Sequence, residues 1–263
     1  CDVYYYEIAK RVGIEKISAM ARTLGLGQRY DLPIPAISEG LTPTKGWKER
    51  VHDEAWLVGD TLNSGIGQGF TLSTPLQLAV MTARLASGRA VEPRIIRATG
   101  AGALAAPEPD VLDIPSSAMR AIRQGMDSVV NTRRGTAYRS RILDPEHRMA
   151  GKTGTSQVRI ITPEERARGV YKNEDLPWNR RDHALFVAYA PYDKPRYAVA
   201  VVVEHGGSGS KAAAPIARDI LMYASYGGLP PLTAFPEGVR DEIEAQRALP
   251  DPSQSSEEER DRV

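Results

Sequence analysis

Gly151-Lys152-Thr153-Gly154-Thr155-Ser156-Gln157-Val158 is the stretch on which the reading of this chain turns. As part of a Walker A loop, a Gly-Lys-Thr triplet needs the pattern G-x-x-x-x-G-K-[ST] between a strand and a helix, so that backbone N–H groups wrap a phosphate. The first glycine of that pattern would fall at position 146, which is Glu146, and no helical pattern follows Thr155. The nucleotide-loop reading fails. The run follows the polar stretch Asp144-Pro145-Glu146-His147-Arg148 and leads into alternating apolar residues, which predicts a strand. On a strand, Thr153 and Thr155 share one face. A lysine, two hydroxyls and a glycine along one strand is the alternative reading, and the flanking sequence has to decide for or against it.

Downstream, His183 to Ala190 and Tyr197 to Glu204 are apolar runs split by Pro191-Tyr192-Asp193-Lys194-Pro195, which predicts an antiparallel hairpin. A helix is expected from Lys211 to Tyr223, packed on the sheet. From Gly227 the chain turns Pro-rich and then acidic, and 227–263 is expected to be a disordered tail. Upstream, Pro115-Ser116 opens a helix to about Val130, followed by the turn Arg133-Arg134-Gly135-Thr136. Ser73-Thr74-Pro75 opens another, with a cap and a first-turn proline, that ends near Ser87-Gly88. Between them Gly100-Ala101-Gly102-Ala103-Leu104-Ala105 matches a dinucleotide fingerprint, but Pro107 and Pro109 stand where its helix should run. Gly59 to Gly69 reads as a glycine-dense loop whose Gly65, Gly67 and Gly69 allow close backbone packing. Residues 28–58 read as an irregular connection anchored by Trp47 and Trp56. Residues 2–25 carry Val3, Tyr6, Ile17, Met20, Ala21 and Leu24 near helical spacing, with Asp2 placed to cap and Gly25 and Gly27 to stop the helix. Helices, then three strands, then a helix predict an α+β fold.

The 263 residues are enough for one large domain with its own core. Net charge is +1, but 236–263 carries a balance of −5 and leaves the body at +6 by difference. That excess is too diffuse for nucleic acid, which is not expected as a partner. A single cysteine, Cys1, excludes an intrachain disulfide and a cysteine-based metal cluster. His52, His147, His183 and His205 are scattered, so no metal and no cofactor are expected; only His205, ahead of Gly206-Gly207, is kept as a cleft residue. No apolar run reaches the length of a membrane span.

Several stretches together resemble the transpeptidase domain of class B penicillin-binding proteins, of the penicillin-binding protein 2 type from Gram-negative cell elongation. Cys1-Asp2-Val3-Tyr4-Tyr5-Tyr6 resembles the second motif, Ser-x-Asp/Asn, and its helix. Trp56 to Gly69 with Thr74-Pro75-Leu76-Gln77-Leu78-Ala79 resembles the strongest non-catalytic signature. Lys152-Thr153-Gly154-Thr155-Ser156-Gln157 resembles the third motif, the Lys-Thr-Gly box. Arg181 to Pro191 and Val203-Glu204-His205-Gly206-Gly207 resemble the paired strands behind it. The likeness spans residues 1–226, and implies a penicillin-binding/β-lactamase-like fold: an antiparallel sheet flanked by helices, plus an all-helical part. The first motif, Ser-x-x-Lys, has no counterpart ahead of the box, so the chain is expected to be an N-terminally truncated, C-terminal piece of such a domain. The Ser208-Gly209-Ser210-Lys211 run comes after the box, in the wrong order for a nucleophile, and reads as helix capping.

By this resemblance the parent protein is a serine-type D,D-transpeptidase. It cross-links peptidoglycan stem pentapeptides in the cell wall through an acyl-enzyme and binds β-lactams on the same serine. Lys152 and Asp2 would be its catalytic residues here: Lys152 supplies positive charge and a proton path, and Asp2 orients groups around the serine. Thr153, Gly154 and Thr155 would bind substrate, with the Thr155 N–H as half of an oxyanion hole. Lacking the nucleophile, this chain is expected to be inactive alone, and to expose the Tyr197–Glu204 strand as an unpaired edge. The implied setting is the periplasmic face of the inner membrane, reached only through an anchor outside this chain, beside a RodA-type glycan polymerase and other elongation proteins. A D,D-carboxypeptidase or β-lactamase relative remains an alternative, though it should lack the stretch from Trp47 to Gly69. A non-catalytic binding or scaffold module is the other.

Overall fold

Glycines and prolines set the boundaries of the helices. The computed structural model describes residues 2–100, 102–159 and 161–249. Helices α1 (Asp2–Val12) and α2 (Ile14–Thr23) form where the periodicity predicts one helix, because Gly13, at φ 81° and ψ 154°, breaks the hydrogen-bond ladder between them. Helix α3 (Lys45–His52) lies inside the stretch read as irregular; Thr44 caps it by accepting from the Trp47 N–H. The two tryptophans do act as anchors. Trp47 packs edge-on against Phe70, with ring centroids 5.2 Å apart, and Trp56 donates from Nε1 to Thr61 Oγ1 at 2.8 Å. Helix α4 (Val58–Gly65) occupies most of the expected glycine loop, so only 66–69 remain as a turn.

Helix α5 (Pro75–Ser87) has the predicted ends: Thr74 and Gln77 form a capping box, and Gly88 closes it at φ 74°. A short ribbon, β1 (Ala98–Thr99) and β2 (Gly102–Ala103), takes the place of the rejected dinucleotide loop. Helix α6 (Ser116–Asn131) leads to strand β3 (Ala150–Ser156), and α7 (Pro163–Arg168) lies between it and β4 (His183–Ala190). Strands β4 and β5 (Tyr197–Val203) form the expected hairpin, and the sheet order is β3-β4-β5, antiparallel throughout. Among the described residues β5 is an edge, as is β3.

Both faces of this sheet are covered. On one, Phe186 and Ala188 pack with Val130, Met149 and the small residues Ala214 and Ala217 of helix α8 (Ala214–Tyr226). On the other, Ala150 and Tyr189 meet Ala86 of α5 and Met126 of α6. A single π turn, Gly209–Ala213, precedes α8. Pro215 lacks an N–H and would collide with the carbonyl one turn back in a regular helix; the wider turn resets the ladder ahead of it.

The expectation of a disordered tail from Gly227 is corrected for residues 227–249. Helix α9 (Glu237–Arg247) docks there, with Phe235 and Ile243 joining the main core. The Arg218 and Arg247 guanidinium groups lie over the Phe235 ring at 4.9 and 5.4 Å, and Arg247 donates to the Pro230 carbonyl at 2.7 Å. The polar average of the segment concealed these two apolar anchors. The rest of the expected tail, residues 250–263, and Cys1 lie outside the described residues.

A hydrogen bond from the Tyr226 hydroxyl to Asp144 joins the end of α8 to the segment before β3. That bond, with help from the Glu146 N–H and His147 and against partial burial, holds the Asp144 carboxyl below its usual range. A depressed carboxylate contributes stability above its unfolded pKa of about 4 and loses it as pH falls through the lower folded value. Tyr226→Phe should therefore cost about 1 kcal/mol at neutral pH and move the acid-unfolding midpoint upward, with the variant and wild type converging in strong acid. Circular dichroism against pH would show this.

Candidate active site

Strand β3 carries Lys152, Thr153, Gly154 and Thr155 along a free edge of the sheet. Alternation puts Thr153 and Thr155 on one face and Lys152 on the other. Lys152 and Thr155 are exposed, while Thr153 and Gly154 are half-buried. The Lys152 Nζ folds back to donate to the Thr153 carbonyl at 2.7 Å. In an antiparallel strand the N–H and C=O of one residue point to the same side. Thr153 and Thr155 both present carbonyls to side-chain donors, so their N–H groups also face the open edge.

Packing behind the box explains its glycines. A Cβ on Gly151 would lie 2.6 Å from the Phe186 ring and from the Val187 carbonyl, so this position cannot carry a side chain against β4. Gly154 lies opposite Leu185, and a Cβ at 154 would approach the Leu185 Cβ to 3.2 Å, a tight contact. From the π turn, Gly209 presses on the same spot: a Cβ there would meet the Gly154 carbonyl at 2.7 Å and its nitrogen at 3.2 Å. The backbone of 208–210 is thus the support against which the box rests.

Two neighbours of the box went unrecognised in the sequence. Thr136 Oγ1 lies 3.0 Å from Thr153 Oγ1, which fixes one hydroxyl of the expected substrate surface. Gly135 permits this approach, since a Cβ there would collide with the Val129 and Ser128 carbonyls at the end of α6. The Gly135-Thr136 pair in a turn was visible, but its partner 17 positions on was not. Gln68 is the other: its Nε2 donates to the Thr155 carbonyl at 3.1 Å across a separation of 87 residues.

Asp2 stands exposed at the head of α1 and has no ion pair among the described residues. It is not brought against Lys152 directly. Its helix reaches the box through α4, which seats on α1 where Gly65 abuts Ala9 and then delivers Gln68 to Thr155. His205 does not line the open edge. Its Nδ1 bonds the Arg181 carbonyl at 2.8 Å, its backbone N–H donates to His183 Nδ1 at 2.9 Å, and Trp178 packs on its ring. It ties the strand ends together. Ser208 and Lys211 are likewise not a nucleophile pair: Ser208 Oγ bonds Ser210 Oγ at 3.1 Å, and Lys211 pairs with Glu174 at 3.0 Å. Nor does the Ser208 hydroxyl cap the following turn. Among the described residues no group of three His, Cys, Asp or Glu side chains is placed to hold a metal ion. No helix among them is long and apolar enough to cross a membrane.

Residues 1–222 match the family model described as the penicillin binding protein transpeptidase domain. The chain is 36% identical over 241 residues to the peptidoglycan D,D-transpeptidase MrdA of Haemophilus influenzae, covering 89% of this chain and 36% of that protein. It is 37% identical over 225 residues to MrdA of Acinetobacter baumannii, covering 82% and 32%. The chain thus spans about a third of the length of these relatives. Among solved structures, Pseudomonas aeruginosa PBP2 in complex with WCK 5153 superposes with a TM-score of 0.71 at 34% identity, covering 89% of this chain and 50% of that one. Helicobacter pylori PBP2 in complex with MreC gives 0.69 at 33%, covering 86% and 38%.

Proposed function

The chain belongs to the penicillin-binding protein transpeptidase family, and we propose on that premise that it forms the Lys-Thr-Gly wall of a peptidoglycan D,D-transpeptidase of cell elongation. In the reaction a serine attacks the penultimate D-Ala carbonyl of a stem pentapeptide. The terminal D-Ala leaves with a proton, and an amine of a neighbouring stem then displaces the serine to make the cross-link. β-Lactams acylate the same serine. Lys152 supplies positive charge beside the nucleophile, and Thr153 and Thr155 bind the substrate carboxylate through their hydroxyls. The Thr155 N–H is one donor to the developing oxyanion, and Asp2 orients groups around the serine.

The observation that supports this reading most is the geometry of β3: a free edge with Lys152 and Thr155 exposed and the Thr155 N–H turned outward. An extended peptide can pair along such an edge and meet charge, hydroxyls and an oxyanion donor at one place. Similarity to PBP2 with MreC and to a peptidoglycan synthase complex, the latter at a TM-score of 0.66 and 30% identity, supports elongation-machinery proteins, including a RodA-type polymerase, as partners. The same relatives support a setting on the periplasmic face of the inner membrane.

Fluorescent penicillin tests the proposal. The product of the complete coding region is expected to be labelled covalently at a serine of a Ser-x-x-Lys motif. The 263-residue chain, with no such motif ahead of Lys152, is expected to remain unlabelled. Absence of labelling in the former, or labelling of the latter at Ser208, would sink the assignment.

A further inference from the structure

The turn after α4 is held rigidly by its own backbone. The Ile66 and Gln68 N–H groups both donate to the Asn63 carbonyl, at 3.2 and 2.9 Å, and the Gly67 N–H donates to Ser64 at 3.0 Å. Gly67 and Gly69, at φ 76° and 71°, reverse the chain on either side of Gln68. Behind the turn, Gly65 fits against Ala9 so closely that a Cβ would collide with it, which sets the spacing between α4 and α1. From this fixed base the Gln68 carboxamide reaches the carbonyl of Thr155 at 3.1 Å. That carbonyl lies on the open edge of β3, on the same side of the strand as the Thr155 N–H.

We infer that Gln68 is a positioning residue for the oxyanion donor: its amide holds Thr155 so that the neighbouring N–H keeps its direction into the cleft. This rests on the proposed transpeptidase reading. An edge strand has no neighbour on its open side to hold its peptide planes, and an oxyanion donor works only if it is aligned before the charge develops. A neutral carboxamide supplies the missing neighbour without adding a charge that would compete with Lys152 for the substrate. The glycine-dense signature then has a function: Gly65, Gly67 and Gly69 shape a strut from the helix that carries Asp2 to the strand that carries the box.

The test is kinetic, in the product of the complete coding region, with penicillin concentration varied to separate the maximal acylation rate from half-saturation. Gln68→Met, close in size but without a donor, should lower the maximal rate roughly tenfold and leave half-saturation unchanged. Gln68→Glu should give a ratio to wild type that climbs as pH falls, because the protonated carboxyl regains a donor; the Met ratio should stay flat. A Met variant with an undiminished maximal rate, or a Glu ratio that does not respond to pH, overturns the inference. A wild type that is not acylated at all overturns the transpeptidase reading instead. The 263-residue chain then decides on Gln68: its Met substitution should shift the Thr155 carbonyl carbon resonance, and an unmoved resonance overturns the strut.

Discussion

Lys152→Ala in the product of the complete coding region is expected to lose at least about a hundredfold in the rate of penicillin acylation, the range typical of a removed electrostatic or proton-transfer group. Its thermal midpoint should scarcely move. The side chain is exposed and, among the described residues, its hydrogen bond goes to the adjacent Thr153 carbonyl, so truncation changes stability by only about 0.5 kcal/mol. Loss of chemistry with retention of fold is the signature that separates a catalytic lysine from a solvated strand end. Lys152→Arg should restore little, because a planar fork does not occupy the place of a compact ammonium. Acylation of the alanine variant at the wild-type rate would remove Lys152 from the mechanism.

Gly209→Ala should lose stability and activity together. The added methyl would meet the Leu185 carbonyl and, at 2.7 Å, the Gly154 carbonyl, and both are backbone atoms of the central sheet that cannot rotate away. Relief requires the π turn or β3 to shift, a cost of about 2–3 kcal/mol typical of overpacking. The urea midpoint should drop, and acylation should fall with it because Gly154 is displaced. Gly125→Ala is the control. That glycine is exposed in α6 with nothing within 4 Å of a Cβ, so alanine should raise stability by roughly 0.5–1 kcal/mol. Equal effects at both positions would show that helix propensity, and not contact with the box, explains the glycine at 209.

Much of the fold was legible because local rules and tertiary packing agree there. The Thr74-Pro75 start and Gly88 stop of α5, and the β4–β5 hairpin with its proline-bounded connection, are set by backbone chemistry within a few residues. The structure departs from the local pattern where single residues outweigh their neighbours. Gly13 divides a helix that the apolar spacing joins, and Thr44 starts α3 in a stretch whose Pro and Gly content suggested loop. Phe235 and Ile243 order a segment whose average composition is acidic and polar.

By itself the sequence determined the strand that carries Lys152 to Thr155 and the family the chain belongs to, because these depend on residue types at short, ordered spacings. Only the tertiary structure decided what supports the box. Thr136, Gln68 and Gly209 reach it from 17, 87 and 55 positions away, through one hydroxyl pair, one amide and one backbone contact. No local spacing encodes such contacts. They exist because the tertiary fold brings Gln68 to the open edge of β3, Thr136 to the Thr153 side chain and the Gly209 backbone against Gly154 and Leu185.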